Sequence, residues 1–246
     1  MVKQKKVYIY GKHAVGEALK HAPHIVRRVE MSPQMQDKKL LELIRLSGVE
    51  TATLDPKKIT SQVEGNAPHQ GIIALVSLPG LLTPFEKFYE SFTPAIDSAL
   101  VYLSEIQDPH NVGAIIRSAV AFGATAILLP SHNQAPITGA VIKASAGTAF
   151  RIPIVQIENV QQAISQLKKK GVRVYGLAGE AAQSIESAAL ASPTMFVFGN
   201  EGEGIAPHVR AVCDEFVSIP IDARAESLNV AATAAVTLYA WKNRKK

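Results

Sequence analysis

Apolar positions fall into two stretches of alternating short runs and amphipathic segments, divided by a proline-punctuated break. In the first stretch Val7–Tyr10 and Val26–Met31 are β-rich runs, and Ala14–Lys20 and Asp37–Leu46 carry apolar residues at helical spacing. Val49–Leu54 reads as a short strand and Gly71–Ser77 (GIIALVS) as a buried one. Between Leu78 and Asp97 the periodicity fails, with Pro79, Gly80, Pro84 and Pro94 as punctuation. The boundary is placed there: a small α/β unit over 1–77, a linker over 78–97 and a second unit over 98–246. Each unit is expected to fold by itself, including a fragment that begins near Pro94.

The second unit alternates on a longer period. Leu100–Leu103, Ala126–Leu129, Ile152–Val155, Arg173–Leu177, Met195–Phe198 and Phe216–Ile219 read as strands. Val112–Phe122, Val160–Lys170 and Asn229–Trp241 read as helices between or after them. Apolar strands separated by helices imply a mostly parallel sheet covered on both faces. Ligands of such sheets bind beyond the carboxyl ends of the strands, where the glycine-rich loop after Phe198 sits.

Composition narrows the partners more than the fold. No uninterrupted apolar stretch reaches the length of a membrane span, and the basic start MVKQKKVYIYGKH lacks a signal-peptide core, so a cytoplasmic protein is expected. The single cysteine, Cys213, excludes an intrachain disulfide and disfavours a cysteine-based zinc site, and no metal is expected. The formal net charge of +5 favours a polyanionic partner without requiring one. Its clusters, at Lys3, Lys5 and Lys6, at Lys168–Lys170 and at Lys242, Arg244, Lys245 and Lys246, read as solvated tails and a charged helix end.

Three segments carry candidate chemistry. In Asp108-Pro-His-Asn-Val-Gly-Ala-Ile-Ile-Arg117, Asn111 stands where a helix should begin and reads locally as an N-cap, and Arg117 as an exposed helical cation. In Gly199-Asn-Glu201-Gly-Glu203-Gly-Ile the glycines crowd behind an apolar strand, but the spacing fits neither phosphate-binding fingerprint. Glu201 and Glu203 would repel phosphate, so a neutral or cationic ligand fits better. In Ile219-Pro-Ile-Asp-Ala-Arg-Ala-Glu-Ser227-Leu228-Asn229, either Ser227 or Asn229 could cap the final helix. The alanines at 231, 232, 234 and 235 give that helix a small-residue surface suited to close packing, within the chain or between subunits.

Taken in order, N-x-G-x-x-x-R, F-G-N-E-G-x-G and I-P-I-x(5)-S-L-N-V-A resemble the three motifs of the SpoU (TrmH) RNA ribose 2′-O-methyltransferases. Tyr10-Gly-Lys-His-Ala-Val-Gly-Glu-Ala-Leu and His69-Gln-Gly-Ile resemble that family's L30e-like substrate-binding domain. The likeness is greatest to the branch that methylates a guanosine ribose of 23S rRNA. It implies a knotted SPOUT-type parallel sheet domain, with a C-terminal trefoil knot, behind a smaller N-terminal L30e-like α/β domain. It further implies S-adenosylmethionine as cofactor, RNA as partner and a homodimer with composite active sites.

By the same resemblance Asn111, Arg117, Glu201, Ser227 and Asn229 are the polar active-site positions, and the backbone near Gly199, Ile219 and Leu228 touches the cofactor. A guanidinium almost never deprotonates, so Arg117 is expected to grip phosphate and stabilise developing alkoxide, not to act as base. His110 is a weaker candidate, more simply read as a loop histidine. Phe150 departs from the family's tendency toward an acidic residue there, which bears on the RNA target and not on the reaction. The alternatives are the same reaction on tRNA, which the N-terminal domain disfavours, and a non-catalytic RNA-binding assembly factor, which the intact polar set disfavours. A nucleotide-dependent dehydrogenase lacks its fingerprint.

Overall fold

The computed structural model describes residues 6–55, 69–77 and 80–244. Its first sheet has four strands: β1 (Lys6–Tyr10), β2 (Val26–Met31), β3 (Glu50–Thr53) and β4 (Ile72–Ser77), in the order β1-β4-β2-β3. Strand β4 runs antiparallel to β1 and β2, whereas β3 joins β2 in parallel. The apolar run of β4 earns its inner position, because Ile72, Ile73, Ala74 and Val76 are all buried. Helices α1 (Lys12–His21) and α2 (Lys38–Ser47) cover the sheet. Asp37 starts α2 by accepting the Leu40 N–H, and Gly48 ends it in the left-handed region.

The second sheet has seven parallel strands. These are β5 (Leu82–Pro84), β6 (Ala99–Leu103), β7 (Ala126–Pro130), β8 (Ile154–Ile157), β9 (Arg173–Leu177), β10 (Thr194–Phe198) and β11 (Glu215–Val217). Their spatial order is β11-β9-β10-β6-β7-β8-β5. Strands β6 and β10 are buried at every position, as a sheet covered on both faces demands. Successive residues divide between the two layers. Val101, Leu103, Phe196 and Phe198 face the layer of α4 (Pro109–Phe122), α5 (Gly139–Ala144) and α8 (Val230–Lys242). Leu100, Tyr102, Met195 and Val197 face α3 (Phe85–Ser91), α6 (Val160–Lys169) and the single turn α7 (Pro207–Arg210).

Two expectations need correction. Residues 78–97 are not a plain linker: β5 pairs with β8, and Phe85, Phe88 and Phe92 are buried in the second layer. The Lys168–Lys170 cluster is not merely solvated either. Lys168 pairs with Asp214 at 2.7 Å, and Lys170 lies 4.1 Å from the Tyr89 ring and donates to the carbonyls of Tyr89 and Phe92. Of the tail cations, Lys3, Lys5, Lys245 and Lys246 lie outside the described residues.

The two sheets share one continuous core, in which Val15, Leu19 and Ile25 join Val141, Ala149 and Phe150. At the joint a Cβ on Gly139 would lie 2.3 Å from the Tyr8 carbonyl oxygen, so only glycine lets the chains approach there. Arg151 hydrogen-bonds the Glu17 carboxylate and thereby holds its pKa below the usual carboxylate range. Lys143 sits 5.0 Å from the centre of the Tyr10 ring.

Candidate active site

The turn after β6 delivers α4. Asp108 caps this helix, its carboxylate accepting the His110 N–H at 2.8 Å, and Pro109 opens the first turn. Asn111 is therefore not the cap that its local context suggested. It lies inside the first turn, 9% exposed, and its side chain is used across the fold. Asn111 Nδ2 donates to Glu201 Oε1 at 2.8 Å, and Asn111 Oδ1 accepts from Asn229 Nδ2 at 3.0 Å. Asn229 Oδ1 in turn accepts the N–H groups of Ala231 and Ala232, which caps α8 as expected.

This relay has only one consistent polarity. An ionised carboxylate can only accept, so the Asn111 amide must point its nitrogen at Glu201 and its oxygen at Asn229. The α8 N–H groups fix Asn229 the other way. Three segments far apart in sequence thus lock one another's side-chain orientation.

The loop after β10 is built by backbone crossing. Asn200 and Gly204 exchange backbone hydrogen bonds at 2.8 and 3.0 Å. A Cβ on Gly199 would stand 2.3 Å from the Gly204 carbonyl carbon, so no side chain fits. Asn200, which the sequence reading did not single out, ties the loop to the one after β6. Its Nδ2 donates to the Glu105 carbonyl at 2.8 Å, and its Oδ1 accepts from Gly202 at 2.9 Å and Glu203 at 3.3 Å. The available signal was its position ahead of an acid-glycine turn, where asparagine folds back on its own backbone.

A pocket of about 530 Å³ opens between this loop and residues 219–229, at the carboxyl ends of β9, β10 and β11. Gly199, Glu201, Ile219, Ser227, Leu228 and Asn229 all line it. Its lining includes the carboxylates Glu201, Glu226 and Asp222, the last paired with Arg224 at 2.8 Å, and contains neither lysine nor arginine. Leu228, 39% exposed, presents apolar surface to the opening. Such a pocket repels phosphate and suits a ligand with an apolar ring system and a positive charge.

Arg117 is not brought to this pocket within one chain. It is exposed on α4, absent from the pocket lining, and forms no hydrogen bond or ion pair with the described residues. The His110 side chain is likewise exposed and unpaired among the described residues. No group of three or more metal-ligating side chains occurs among the described residues.

The relay makes one substitution diagnostic. Asn229→Asp keeps the acceptor that caps α8 but loses the donor to Asn111 and sets a second negative charge near Glu201. The expected result is a melting temperature close to wild type with activity reduced about 10-fold or more, since a lost hydrogen bond and a charge repulsion both fall on the site. Thermal unfolding measured beside turnover checks it; a variant of normal turnover contradicts the relay's importance.

Comparison with known proteins agrees with this geometry. Residues 98–239 match the SpoU rRNA Methylase family, and residues 8–80 match the family for RNA 2′-O ribose methyltransferase substrate binding. The 23S rRNA (guanosine-2′-O-)-methyltransferase RlmB of Xanthomonas campestris is 35% identical over 244 residues, 97% of this chain and 96% of that protein. RlmB of Pseudomonas putida is 34% identical, covering 94% of each. In fold, the SpoU methyltransferase AviRb from Streptomyces viridochromogenes, solved with AdoMet, superposes with a TM-score of 0.83 at 24% identity over 96% of this chain and 89% of that one. With both units matched, and Asn111 tied by hydrogen bonds to Glu201 and Asn229 of the pocket, the chain belongs to the SpoU rRNA methylase family.

Proposed function

We propose that this protein methylates the ribose 2′-hydroxyl of a guanosine in 23S rRNA, using S-adenosylmethionine bound in the pocket beside Glu201. The single observation that carries the reading is the Glu201–Asn111–Asn229 relay, two of whose members line a cation-tolerant pocket. The residues present fit the cofactor: acidic neighbours tolerate its sulfonium, and Ile219, Leu228 and the backbone at Gly199 line the space that its adenosine would take. When bound, S-adenosylmethionine supplies an electrophilic methyl group.

The remaining work belongs to the chain. A ribose hydroxyl is a poor nucleophile and must lose its proton during attack. Arg117 holds an adjacent phosphate and stabilises the developing alkoxide, and that phosphate or solvent takes the proton. The relay fixes Glu201 and Asn229 in the pocket wall, and Ser227 adds a hydroxyl beside them.

Homodimerisation supplies what one chain lacks. Ala232, Val236 and Tyr239 are exposed at i, i+4 and i+7 on α8, with Val236 at 41% and Tyr239 at 59%. Covering this apolar stripe with a second copy would place the neighbouring α4, and Arg117 with it, at a subunit boundary, where Arg117 serves the partner's pocket. The C-terminal segments form the trefoil knot, residues 1–77 supply RNA contacts, and the protein works in the cytoplasm without a metal.

The test is transfer of radiolabelled methyl from S-adenosylmethionine to a 23S rRNA transcript. The label is expected on a guanosine 2′-oxygen and is expected to persist in a chelator. Cofactor binding without transfer to any 23S rRNA would reject the reading in favour of a non-catalytic assembly factor. Transfer to tRNA alone would move the activity to the other substrate.

A further inference from the structure

A second cleft, of about 310 Å³, lies at the carboxyl ends of β6, β7 and β8. Its lining includes Glu105, His132, Asn133, Glu158, Gln161 and His208, and it contains no lysine or arginine. The cleft is built, not incidental. Glu105 and Asn133 both adopt left-handed backbone, at φ 62 and φ 53, although neither is glycine. Such conformations cost energy and persist where surrounding contacts impose them. Here one amide imposes both: Gln107 Nε2 donates to the Glu105 carbonyl at 3.1 Å and to the Asn133 carbonyl at 2.6 Å. The Glu105 carbonyl also accepts from Asn200 at 2.8 Å, so one hydrogen bond joins the lining of this cleft to that of the cofactor pocket.

The carboxylates differ. Glu158 already accepts from Ser131 Oγ at 2.7 Å and stands 3.9 Å from His132 Nε2. The half-buried Glu105 carboxylate has neither hydrogen bond nor ion pair among the described residues. An unpaired carboxylate in a cleft without cations repels phosphate and selects a ligand edge that offers N–H donors. Of the four RNA bases only guanine offers two adjacent N–H donors, N1–H and the N2 amine, on its Watson–Crick edge. Flat imidazoles such as His132 and His208 are the kind of surface on which an unstacked RNA base rests.

We propose that this second cleft receives the unstacked guanine of the target nucleotide, with the Glu105 carboxylate accepting from N1–H and the N2 amine. The proposal rests on the function proposed above and adds to it the residue that reads the base. Because Asn200 of the cofactor pocket bonds directly to Glu105 of the cleft, the two openings are neighbours, with the ribose assigned to one and its base to the other. Enzymes that act on one nucleotide commonly draw its base out and read it in this way.

The test uses the full-length protein and the variants Glu105→Gly and Glu105→Gln. Glycine relaxes the left-handed position, so that variant keeps the fold. Both variants retain the backbone carbonyl that Asn200 and Gln107 hold. Turnover is measured on a 23S rRNA transcript with guanosine, or inosine, which lacks the N2 amine, at the methylated position. Wild type is expected to prefer guanosine over inosine about 10-fold, the usual scale for one hydrogen bond to a charged group. Glu105→Gly is expected to bind S-adenosylmethionine normally, to lose about 10-fold or more in kcat/KM on guanosine, and to treat the two transcripts alike. Glu105→Gln, with one acceptor left, is expected to fall between them. Wild-type turnover in Glu105→Gly, or an undiminished preference for guanosine in it, overturns the base-reading role while the proposed function stands. A wild-type protein that binds cofactor but methylates no 23S rRNA overturns the function itself, and the base-reading role with it.

Discussion

Arg117→Ala is expected to lower methyl transfer by about 100-fold or more, the scale seen when one preorganised donor to developing charge is removed. Fold and cofactor affinity should hardly move. The side chain is exposed, makes no bond with the described residues and stands outside the cofactor pocket, and such surface positions shift stability by only about 0.5 kcal/mol. Arg117→Lys should recover part of the rate, because an ammonium supplies the charge but not the planar fork. Assembly can be read from the same variant. If Arg117 serves the partner's pocket, mixing Arg117→Ala with the separately inactive Glu201→Gln yields hybrid dimers in which one of two sites has both residues. Random subunit exchange then restores about a quarter of wild-type turnover. A mixture that stays inactive while subunits demonstrably exchange contradicts the composite site, and an active Arg117→Ala contradicts the residue's role altogether.

The second large effect concerns truncation. A fragment that begins near Pro94 loses β5 and α3, and with them Phe85, Phe88 and Phe92 from the second core layer. Removing even one buried phenylalanine costs about 3–5 kcal/mol, so losing three exceeds the whole stability of a typical domain. That fragment is expected to be unfolded or insoluble. One that begins at Leu81 keeps the seven-stranded sheet but uncovers Val141, Ala149 and Phe150, which the first unit helps to bury. It should unfold at a lower temperature than the full chain while retaining some cofactor binding, and its RNA affinity should fall less steeply with salt. Thermal unfolding of the two fragments beside the full chain decides the matter. Equal stability of the Pro94 fragment and the full chain would refute the role assigned to α3.

Long apolar runs such as Leu100–Leu103 and Met195–Phe198 declared themselves, because burial on both faces leaves no polar position to confuse the pattern. Strand β5 did not, since three residues, the last a proline, are too few to show a period. Helix α3 was legible in principle: Phe85, Phe88 and Phe92 recur at i, i+3 and i+7, but the flanking prolines drew attention away from them.

At the site, capping chemistry left Ser227 and Asn229 as alternatives, of which Asn229 is the cap, and misplaced Asn111, because Asp108 competes for the same helix start and wins. The partners of Asn111 are tertiary, and no local signal could have shown them. Nor could periodicity have shown that Arg117 stays apart from the pocket, or that Glu105 turns left-handed under the grip of two amides.

The strand order has a consequence for how the chain is made. In the finished sheet Thr194–Phe198 lies between β6 and β9, opposite Ala99–Leu103 on one side and Arg173–Gly176 on the other. During synthesis β6, β7 and β8 emerge and can pair well before β10 exists, so the inner edge of β6 waits, unpaired and apolar, while more than a third of the polypeptide follows. Pairings this remote in sequence are slow to form, and bare strand edges invite association with other chains meanwhile. The nascent sheet therefore carries an association risk that the completed molecule, with β6 enclosed between β7 and β10, no longer shows.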